Sequence, residues 1–135
     1  MSVNLLRKYK FEGGITLIQV KNVTKKYGNF KAVDDISFEV KDGEVVGFLG
    51  PNGAGKSTTM NMITGYIDPT QGQIIVNGVD VGKRPRKAKK QIGYMPESVP
   101  LYEELTVKEF VRYMAELKLV KHKDLKEETN KLIEE

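Results

Sequence analysis

Alternation of apolar and polar residues near the N-terminus predicts two half-buried β-strands. The alternation covers residues 17–23 in the first segment and residues 36–40 in the second, and the polar residues 25–29 predict a turn between them. Asp42-Gly43 follows the second segment, and an Asp-Gly pair between two strand-like segments is a strong hairpin signal. We therefore expect an antiparallel ribbon that leads directly into the apolar segment 44–49, which is typical of a buried strand.

A second hairpin is predicted further along the chain. The apolar residues 74–76 are joined to Val79 and Val81 through Asn77-Gly78. Asn-Gly is the preferred two-residue hairpin turn because both positions tolerate positive φ. Between the two hairpins, residues 58–63 fit a helix. Its apolar members should pack on the sheet: Met60, Met62 and Ile63.

The segment after the second hairpin predicts a short helix and then a short strand. Pro85 suits the first turn of a helix that runs to about Gln91. Residues 92–95 fit a buried strand that Pro96 ends, which leaves Glu97 where the strand stops. Ligands bind at such strand ends in open α/β sheets, so Glu97 is a candidate site residue.

Two further helices are predicted toward the C-terminus. Residues 105–110 contain a capping box, Thr106 with Glu109, flanked by two apolar residues in hydrophobic-staple positions. Apolar residues continue from there at helical spacing to about Leu119. Residues 124–127 repeat the capping spacing, and we expect them to begin a second amphipathic helix.

The stretch GPNGAGKST, residues 50–58, lies between the predicted strand 44–49 and the predicted helix, and it matches GxxxxGKS without a mismatch. Gly50, Gly53 and Gly55 can adopt positive φ angles, which let backbone N–H groups converge on a phosphate. The helix that follows adds the positive end of its dipole. The strand and the helix supply the context that the motif needs, so we favour a phosphate site over an incidental surface turn.

Two side chains of this loop have a chemical role of their own. Lys56 would reach the β and γ phosphates as a point charge, and Ser57 would offer its hydroxyl to a magnesium ion. The stretch therefore predicts a nucleoside triphosphate site. The residues expected to contact the nucleotide in it are Gly50, Pro51, Asn52, Gly53, Ala54, Gly55, Lys56, Ser57 and Thr58.

Composition fits a small domain or a piece of a larger one. Of the 135 residues, 39% are hydrophobic and 30% are charged, so a core is possible and global disorder is not expected. Without cysteine, disulfides and thiolate metal sites are excluded. No apolar run approaches the roughly 20 residues needed to span a bilayer, and no signal-peptide pattern opens the chain. A cytosolic location is the simplest expectation.

The net charge of +4 is modest, but basic residues cluster in residues 83–90. A patch for nucleic acid or acidic lipid is one interpretation, and a solvated helix face is the commoner meaning of such a run. No aromatic residue is interleaved with these charges, so the stacking expected of a single-strand binder is absent locally. We expect no nucleic-acid partner.

Several motifs in order resemble the ATP-binding subunit of an ABC transporter, over nearly all of residues 16–135. They are VTKKYG at 23–28, AVDDISFEVKDGEVVGFLG at 32–50, GPNGAGKSTT at 50–59, TGYIDPTQGQIIVNG at 64–78 and IGYMPE at 92–97. The phrases GYIDPTQG and MPESVPLYEELTV are most similar to exporter-type systems. The resemblance implies a P-loop NTPase fold of ABC type, in the α/β class, with an antiparallel ribbon and part of the core sheet.

The resemblance also implies ligands, roles and partners. ATP and Mg²⁺ would be the cofactors, and Tyr27 would be the aromatic residue that stacks on adenine. The alternative for Tyr27 is a core tyrosine beside Phe30. Lys56 and Glu97 would be the catalytic residues, and Glu97 would also contact the magnesium ion. Residues 97–105 would face a membrane-spanning subunit. The complete protein would form a nucleotide-dependent homodimer at the cytoplasmic face of the membrane, attached through its partner.

The chain departs from the family pattern in two respects. Glu97 stands where the family usually has Gln, although a carboxylate remains a good ligand for a hard cation. The second acidic strand end, the water-orienting Glu, the phosphate-sensing His and the LSGGQ-type motif do not occur in these 135 residues. His122 lies between two lysines, so we interpret it as solvated.

We therefore interpret the chain as the N-terminal part of such a subunit. Residues 1–14 would be an extension, 15–104 the N-terminal part of the ATPase core, and 105–135 the beginning of a helical subdomain. We expect the chain to bind nucleotide weakly and to hydrolyse little or none. The alternatives are a nucleotide-independent structural or self-association module, and part of a non-transport ABC ATPase.

Overall fold

The longest strands follow from the two alternating segments near the N-terminus. A computed structural model describes residues 6–8, 16–98, 101–118 and 120–134. Most of the predicted extension 1–14, together with Leu119, lies outside the described residues. In chain order the elements are β1 (Leu6–Lys8), β2 (Thr16–Tyr27), β3 (Phe30–Lys41), β4 (Val46–Phe48), α1 (Lys56–Ile63), β5 (Gln71–Val76), β6 (Val79–Asp80), α2 (Pro85–Lys89), α3 (Val107–Leu117) and α4 (Leu125–Glu134).

The chain divides into two compact units, Met1–Tyr94 and Met95–Glu135. In the first unit, β2 is a central strand that pairs antiparallel with both β3 and β5, and β6 completes a sheet of order β3-β2-β5-β6. The predicted Asn77-Gly78 hairpin joins β5 to β6, with φ of 47° and 73° at its two positions. Positive φ at both residues is what a type I′ turn requires.

The first hairpin closes within the predicted turn at residues 25–29, which is therefore confirmed. Gly28-Asn29 connects β2 to β3, where Tyr27 pairs with Phe30. Asp42-Gly43 forms a turn closed by a hydrogen bond from Glu44 N to Lys41 O, but the strand after it does not pair with β3. β4 pairs instead with β1, so the predicted hairpin at Asp42-Gly43 is wrong. β2 and β3 are each twelve residues long and pair from end to end. This pairing occupies one edge of β3 along its whole length.

A bulge in β2 changes which residues face the core. Val20 and Val23 are both buried, although strict alternation places them on opposite sides. Asn22 adopts φ of 49° between them, and the pairing with β3 shifts register there. Its side-chain amide donates to the Asp35 carboxylate at 3.2 Å, and Asp35 also has positive φ. One extra residue changes the face of the sheet to which every later side chain points, so strict alternation fails at Val23.

The core of the first unit lies between this sheet and α1. Met62 and Ile63 are buried as predicted, whereas Met60 is 40% exposed and Thr59 is buried in its place. The predicted packing of Met60 is therefore wrong. The helix begins two residues earlier than predicted, at Lys56. The buried apolar residues are Val20, Val23, Val33, Phe38, Met62, Ile63, Ile74, Val76, Val79, Val81 and Ala88.

Two expected strands are shorter than predicted or not formed. β4 has only three residues of the predicted segment 44–49, and Val45 and Leu49 beside it are exposed. The predicted strand 92–95 is not formed, since no described strand pairs with it. Ile92 packs against the core, but Tyr94 and Met95 are exposed. An apolar segment forms a β-strand only where a neighbouring strand can hydrogen-bond its backbone N–H and C=O groups. Local composition does not determine whether such a neighbour is present.

The second unit consists of α3 and α4, which pack on each other. The predicted capping box is confirmed: Thr106 Oγ1 accepts from Glu109 N at 3.3 Å, and Thr106 N donates to the Glu109 carboxylate at 2.9 Å. Leu125 and Thr129 of α4 are buried. Among the helices described, none combines the length and apolar character needed to cross a bilayer.

Candidate functional site

The candidate phosphate loop connects β4 to α1, as the sequence predicts. β4 ends at Phe48 and α1 begins at Lys56, so the intervening residues form an irregular loop between a strand and a helix. A turn inside the loop is closed by a hydrogen bond of 3.2 Å from Ala54 N to Pro51 O. The local order of strand, glycine loop and helix is the context in which this motif binds phosphate.

All three predicted loop glycines have positive φ, which confirms the expected backbone shape. The angles are 157° at Gly50, 80° at Gly53 and 87° at Gly55. Gly55 has a second constraint, because a Cβ atom there would collide with the carbonyl oxygen of Ala32 and approach Val33 to 3.0 Å. The loop therefore lies directly against β3, and Gly55 permits both the conformation and the close approach.

The Lys56 ammonium group lies back over the loop. Its Nζ donates hydrogen bonds to the carbonyl oxygens of Gly50 at 2.7 Å and Pro51 at 2.8 Å. A lysine has three donors on a flexible stem, so phosphate oxygens near the loop can replace these carbonyl acceptors. The positive charge is thus already held at the loop.

The start of α1 is suited to an anion. Within the described helix, no side chain caps the first turn and no acidic residue lies in it. Backbone N–H groups at a helix start lack intrahelical acceptors and carry the positive end of the helix dipole. Ser57 is exposed in this first turn, and Thr58 is half-buried beside it. The arrangement can accept a negatively charged oxygen ligand.

Thr59 supports the loop in a way that the sequence interpretation missed. Its buried hydroxyl donates to the Gly55 carbonyl at 2.9 Å, and its backbone N–H reaches the same oxygen at 2.9 Å. The two bonds fix the junction between loop and helix. The signal available in the sequence was its small polar side chain four residues after Gly55, the spacing at which Thr bonds back to a helix carbonyl.

The alternative interpretation of Tyr27 as a core residue is wrong, because 52% of its surface is exposed. Its cross-strand neighbour Phe30 is 64% exposed. Lys25 Nζ lies 5.3 Å from the centre of the Tyr27 ring and donates to the carbonyl of Asp68 at 2.6 Å. Lys25 thereby covers one part of the ring and links β2 to the turn before β5.

The end of the hairpin that carries Tyr27 lies close in space to the phosphate loop. Gly55 contacts Ala32, and Phe30 precedes Ala32 by two residues, or about 7 Å along an extended strand. Tyr27 pairs with Phe30 on the neighbouring strand, about 5 Å away. Tyr27 is therefore within two short steps of the phosphate loop, about 7 Å along β3 and about 5 Å across to β2. An exposed aromatic ring in that position is compatible with stacking on a base whose phosphates occupy the loop.

Glu97 belongs to the second unit, whereas Lys56 and Tyr27 belong to the first. It is exposed and lies outside regular secondary structure. Its role at magnesium stays a prediction. Of residues 97–105, all that the structure describes are exposed, and residues 99–100 lie outside the described part. His122 is exposed, as expected for a solvated side chain.

Two carboxyl groups among the described residues have a lowered pKa, and both lie outside the loop. Asp80 accepts from the side chain of Gln73 at 2.6 Å and from Lys83 N at 3.0 Å, and these hydrogen bonds lower its pKa. The Thr106 hydroxyl and backbone lower the pKa of Glu109 in the capping box. No group of three or more metal-ligating side chains occurs in the described part of the chain.

Comparison with known proteins agrees with this geometry. A family model described as ABC transporter matches residues 33–135. The probable multidrug ABC transporter ATP-binding protein YbhF of Escherichia coli (strain K12) is 47% identical over 102 residues, which cover 76% of this chain and 18% of YbhF. The linearmycin resistance ATP-binding protein LnrL of Bacillus subtilis (strain 168) is 40% identical over 118 residues, covering 87% of this chain and 38% of LnrL. The chain thus spans less than two fifths of either curated relative.

A solved structure shows the same fold. The dimeric post-hydrolysis state of the ATP-binding cassette MJ0796 bound to ADP and Pi is 26% identical, with a TM-score of 0.71, and the match covers 85% of this chain and 55% of that one. The architecture is accordingly that of a P-loop NTPase of ABC type, represented in part. Since the family model matches most of the chain and the solved structure shares its fold, this protein belongs to the ABC transporter family, among its ATP-binding proteins.

Proposed function

We propose that this chain provides the ATP-binding part of a transport ATPase. The observation that carries the proposal is the loop at residues 50–56, where the Lys56 ammonium is held 2.7 Å from the Gly50 carbonyl beside a helix start without a side-chain cap. The phosphates would contact the backbone of residues 50–58. Adenine would stack on the exposed ring of Tyr27.

The residues present fit a magnesium ion that accompanies the nucleotide. Ser57 places an exposed hydroxyl in the first turn of α1, next to Lys56. Magnesium keeps several waters and is bound by few protein oxygens together with phosphate oxygens, and in P-loop nucleotide sites the Ser or Thr hydroxyl after the lysine is one of its ligands. The ion would neutralise phosphate charge, while Lys56 and the loop amides orient the phosphates. The ADP and Pi in MJ0796 support a nucleotide as the ligand class.

Hydrolysis by this 135-residue chain should be slow or undetectable. Phosphoryl transfer depends on positioning of the nucleophile and on stabilisation of charge, and Lys56 supplies only part of that charge. The chain has one histidine, which is exposed, and it contains no LSGGQ-type motif. The complete protein would hydrolyse ATP and couple it to transport.

The proposed partners are a membrane-spanning subunit and a second ATPase subunit. Residues 97–105 would face the membrane subunit, and their exposure, where described, supports an accessible surface. The dimeric state of MJ0796 supports a nucleotide-dependent homodimer. The names of YbhF and LnrL, which refer to multidrug transport and linearmycin resistance, support an export system. The protein would then act at the cytoplasmic face of the membrane.

Titration of the 135-residue chain with a fluorescent ATP analogue tests the proposal. Lys56→Ala should weaken the affinity at least about tenfold, the effect of losing roughly 1.4 kcal/mol. Lys108→Ala removes the same charge from an exposed position in α3 and should leave the affinity unchanged. Absence of binding by the parent chain, or full retention of affinity in Lys56→Ala, would contradict the proposal.

Self-association is the second candidate function, and the exposed apolar side chains of the second unit support it. No residue of α3 is buried, and its Val107 and Leu117 are exposed, as is Leu132 of α4. Apolar side chains in such positions can be covered by a second copy. Sedimentation analysis with and without ATP separates the two functions: a dimer that forms equally in both conditions and in Lys56→Ala favours the structural module.

A further inference from the structure

The basic segment, residues 83–90, has six basic residues in eight positions and no acidic one. Its cationic side chains are all exposed, and Ala88 is fully buried. The basic residues are Lys83, Arg84, Arg86, Lys87, Lys89 and Lys90. None of these residues belongs to the phosphate loop at residues 50–58.

The fold holds the basic segment at both ends. Arg84 N donates to the Asp80 carbonyl at 2.9 Å, just before α2. Beyond the helix, the side-chain amide of Asn77 donates to Gln91 at 2.6 Å. Ala88 is anchored in the core between these two points. The cations are therefore displayed from a fixed base, which lowers the conformational entropy lost when they bind a partner.

Little of this charge is neutralised within the protein. In the part of the chain that the structure describes, the ion pair of the basic segment is that of Lys83 with Asp80, at a long 3.8 Å. The Lys83 side chain remains 79% exposed in that pair. Exposed ion pairs are weak and screened by salt. The remaining cations face solvent and are available to an external anion.

Tertiary structure adds an aromatic residue that the sequence run lacks. A Cβ atom at Gly65 would lie 3.3 Å from the Cε atom of Lys89, so the chain at residue 65 lies next to the end of the Lys89 side chain. Tyr66 follows and is 79% exposed. Tyrosine is favoured at membrane interfaces, where its ring is amphipathic. The basic segment thus has an exposed aromatic neighbour.

We propose that the basic segment, with Tyr66 beside it, binds the anionic headgroups of a lipid bilayer. Clusters of four to eight basic residues beside a membrane-spanning helix or on an amphipathic helix are typical of contacts with acidic lipids, and three of the six basic residues here lie in α2. The inference rests on the proposed function, in which the complete protein works with a membrane-spanning subunit and would therefore lie near a bilayer surface. Single-stranded nucleic acid is less suited, because its binders present several stacking aromatics along a groove. This lipid contact is separate from the nucleotide site and from any protein subunit in the membrane.

Co-sedimentation with vesicles tests the proposal. The 135-residue chain should bind vesicles of phosphatidylcholine mixed with phosphatidylglycerol, and not vesicles of phosphatidylcholine alone. Binding should decrease as salt rises, because screening shortens the range of the attraction. The triple variant Arg86→Gln, Lys87→Gln, Lys90→Gln changes only exposed positions and should weaken partitioning at least about tenfold.

A matched control removes the same charge elsewhere. Lys121→Gln, Lys123→Gln and Lys126→Gln neutralise three exposed lysines of the second unit, and this variant should bind the mixed vesicles as the parent does. Circular dichroism verifies that both triple variants remain folded. Equal loss in the two variants, equal binding to neutral vesicles, or no binding by the parent chain would overturn the proposal. Preferential binding of an oligonucleotide that the first variant abolishes would assign the surface to nucleic acid instead.

Discussion

The carbonyl oxygen of Ala32 in β3 lies so close to Gly55 that no Cβ atom fits between the strand and the phosphate loop. Gly55 is also the N-cap of α1, with φ of 87°. One residue thus joins the sheet, the loop and the helix start. The contact explains how a strand more than twenty residues earlier in the chain sets the position of the loop.

Gly55→Ala should destabilise the chain by about 3 kcal/mol or more, because it adds a clash with strand backbone to an unfavourable φ. Gly53→Ala is a matched control: its φ is 80° and nothing lies within 4 Å of the added carbon. That variant should lose only about 1–2 kcal/mol. Urea unfolding followed by circular dichroism measures both. Equal losses would show that the contact with β3 has no energetic importance.

Tyr27→Ala should weaken binding of an ATP analogue about tenfold, since stacking on a base contributes about 1–3 kcal/mol. Tyr27→Phe retains the ring and should bind nearly as the parent does. Phe30 is the exposed cross-strand neighbour of Tyr27. Phe30→Ala therefore tests whether the base stacks on Phe30 rather than on Tyr27. Fluorescence titration of the three variants gives the comparison. A larger effect of Phe30→Ala would transfer the stacking role to Phe30.

Asp80 should make stability depend on acidic pH. Its pKa is lowered from the ordinary 3.8, first by the hydrogen bond from Gln73, so folding favours the carboxylate. The resulting stability is present above pH 3.8 and is lost as the pH falls through the lowered pKa. Asp80→Asn should cost about 1–2 kcal/mol near neutral pH, and the difference from the parent should shrink below pH 3.8.

Unfolding in urea at a series of pH values measures the effect of Asp80→Asn. Asp34→Asn is the control, because Asp34 forms an exposed pair with Lys31 at 2.9 Å. Such surface pairs contribute about 0–1 kcal/mol. A difference between Asp80→Asn and the parent that stays constant down to the most acidic pH would contradict the role given to the carboxylate.

Thr106→Ala should loosen the first turn of α3. The variant removes the acceptor for Glu109 N and should destabilise the helix by about 1 kcal/mol. Thr106→Ser keeps an equivalent oxygen and should lose little. Hydrogen exchange at the Glu109 amide reports on the bond directly, and it should accelerate in the alanine variant alone. Unchanged exchange in that variant would argue that the capping box is not formed in solution.

Features with a local physical cause were predictable from sequence. Asn77-Gly78 forms a hairpin because both residues tolerate positive φ, and Thr106 with Glu109 caps α3 because the two lie three residues apart. The glycine loop takes the predicted backbone shape because its own residues permit it. In each case the groups that decide the outcome are within a few positions of each other.

Features that depend on distant partners were not predictable in the same way. Residues 92–95 have the composition of a strand but no described neighbour to pair with, and Asp42-Gly43 turns the chain without joining two paired strands. The bulge at Asn22 moves Val23 into the core through contacts with β3 that alternation alone does not contain. Each of these outcomes depends on which backbone groups meet across the sheet.

The sequence by itself determined the family, the phosphate loop and the turn and cap chemistry, because these depend on residue type at short spacing. Tertiary structure alone decided that Gly55 lies against Ala32, that Tyr27 is exposed at the hairpin end, and that Gly65, which precedes the exposed Tyr66, lies next to Lys89 of the basic segment. These relationships join residues far apart in the chain. They arise from packing of the sheet against α1 and α2, which no local pattern of residues specifies.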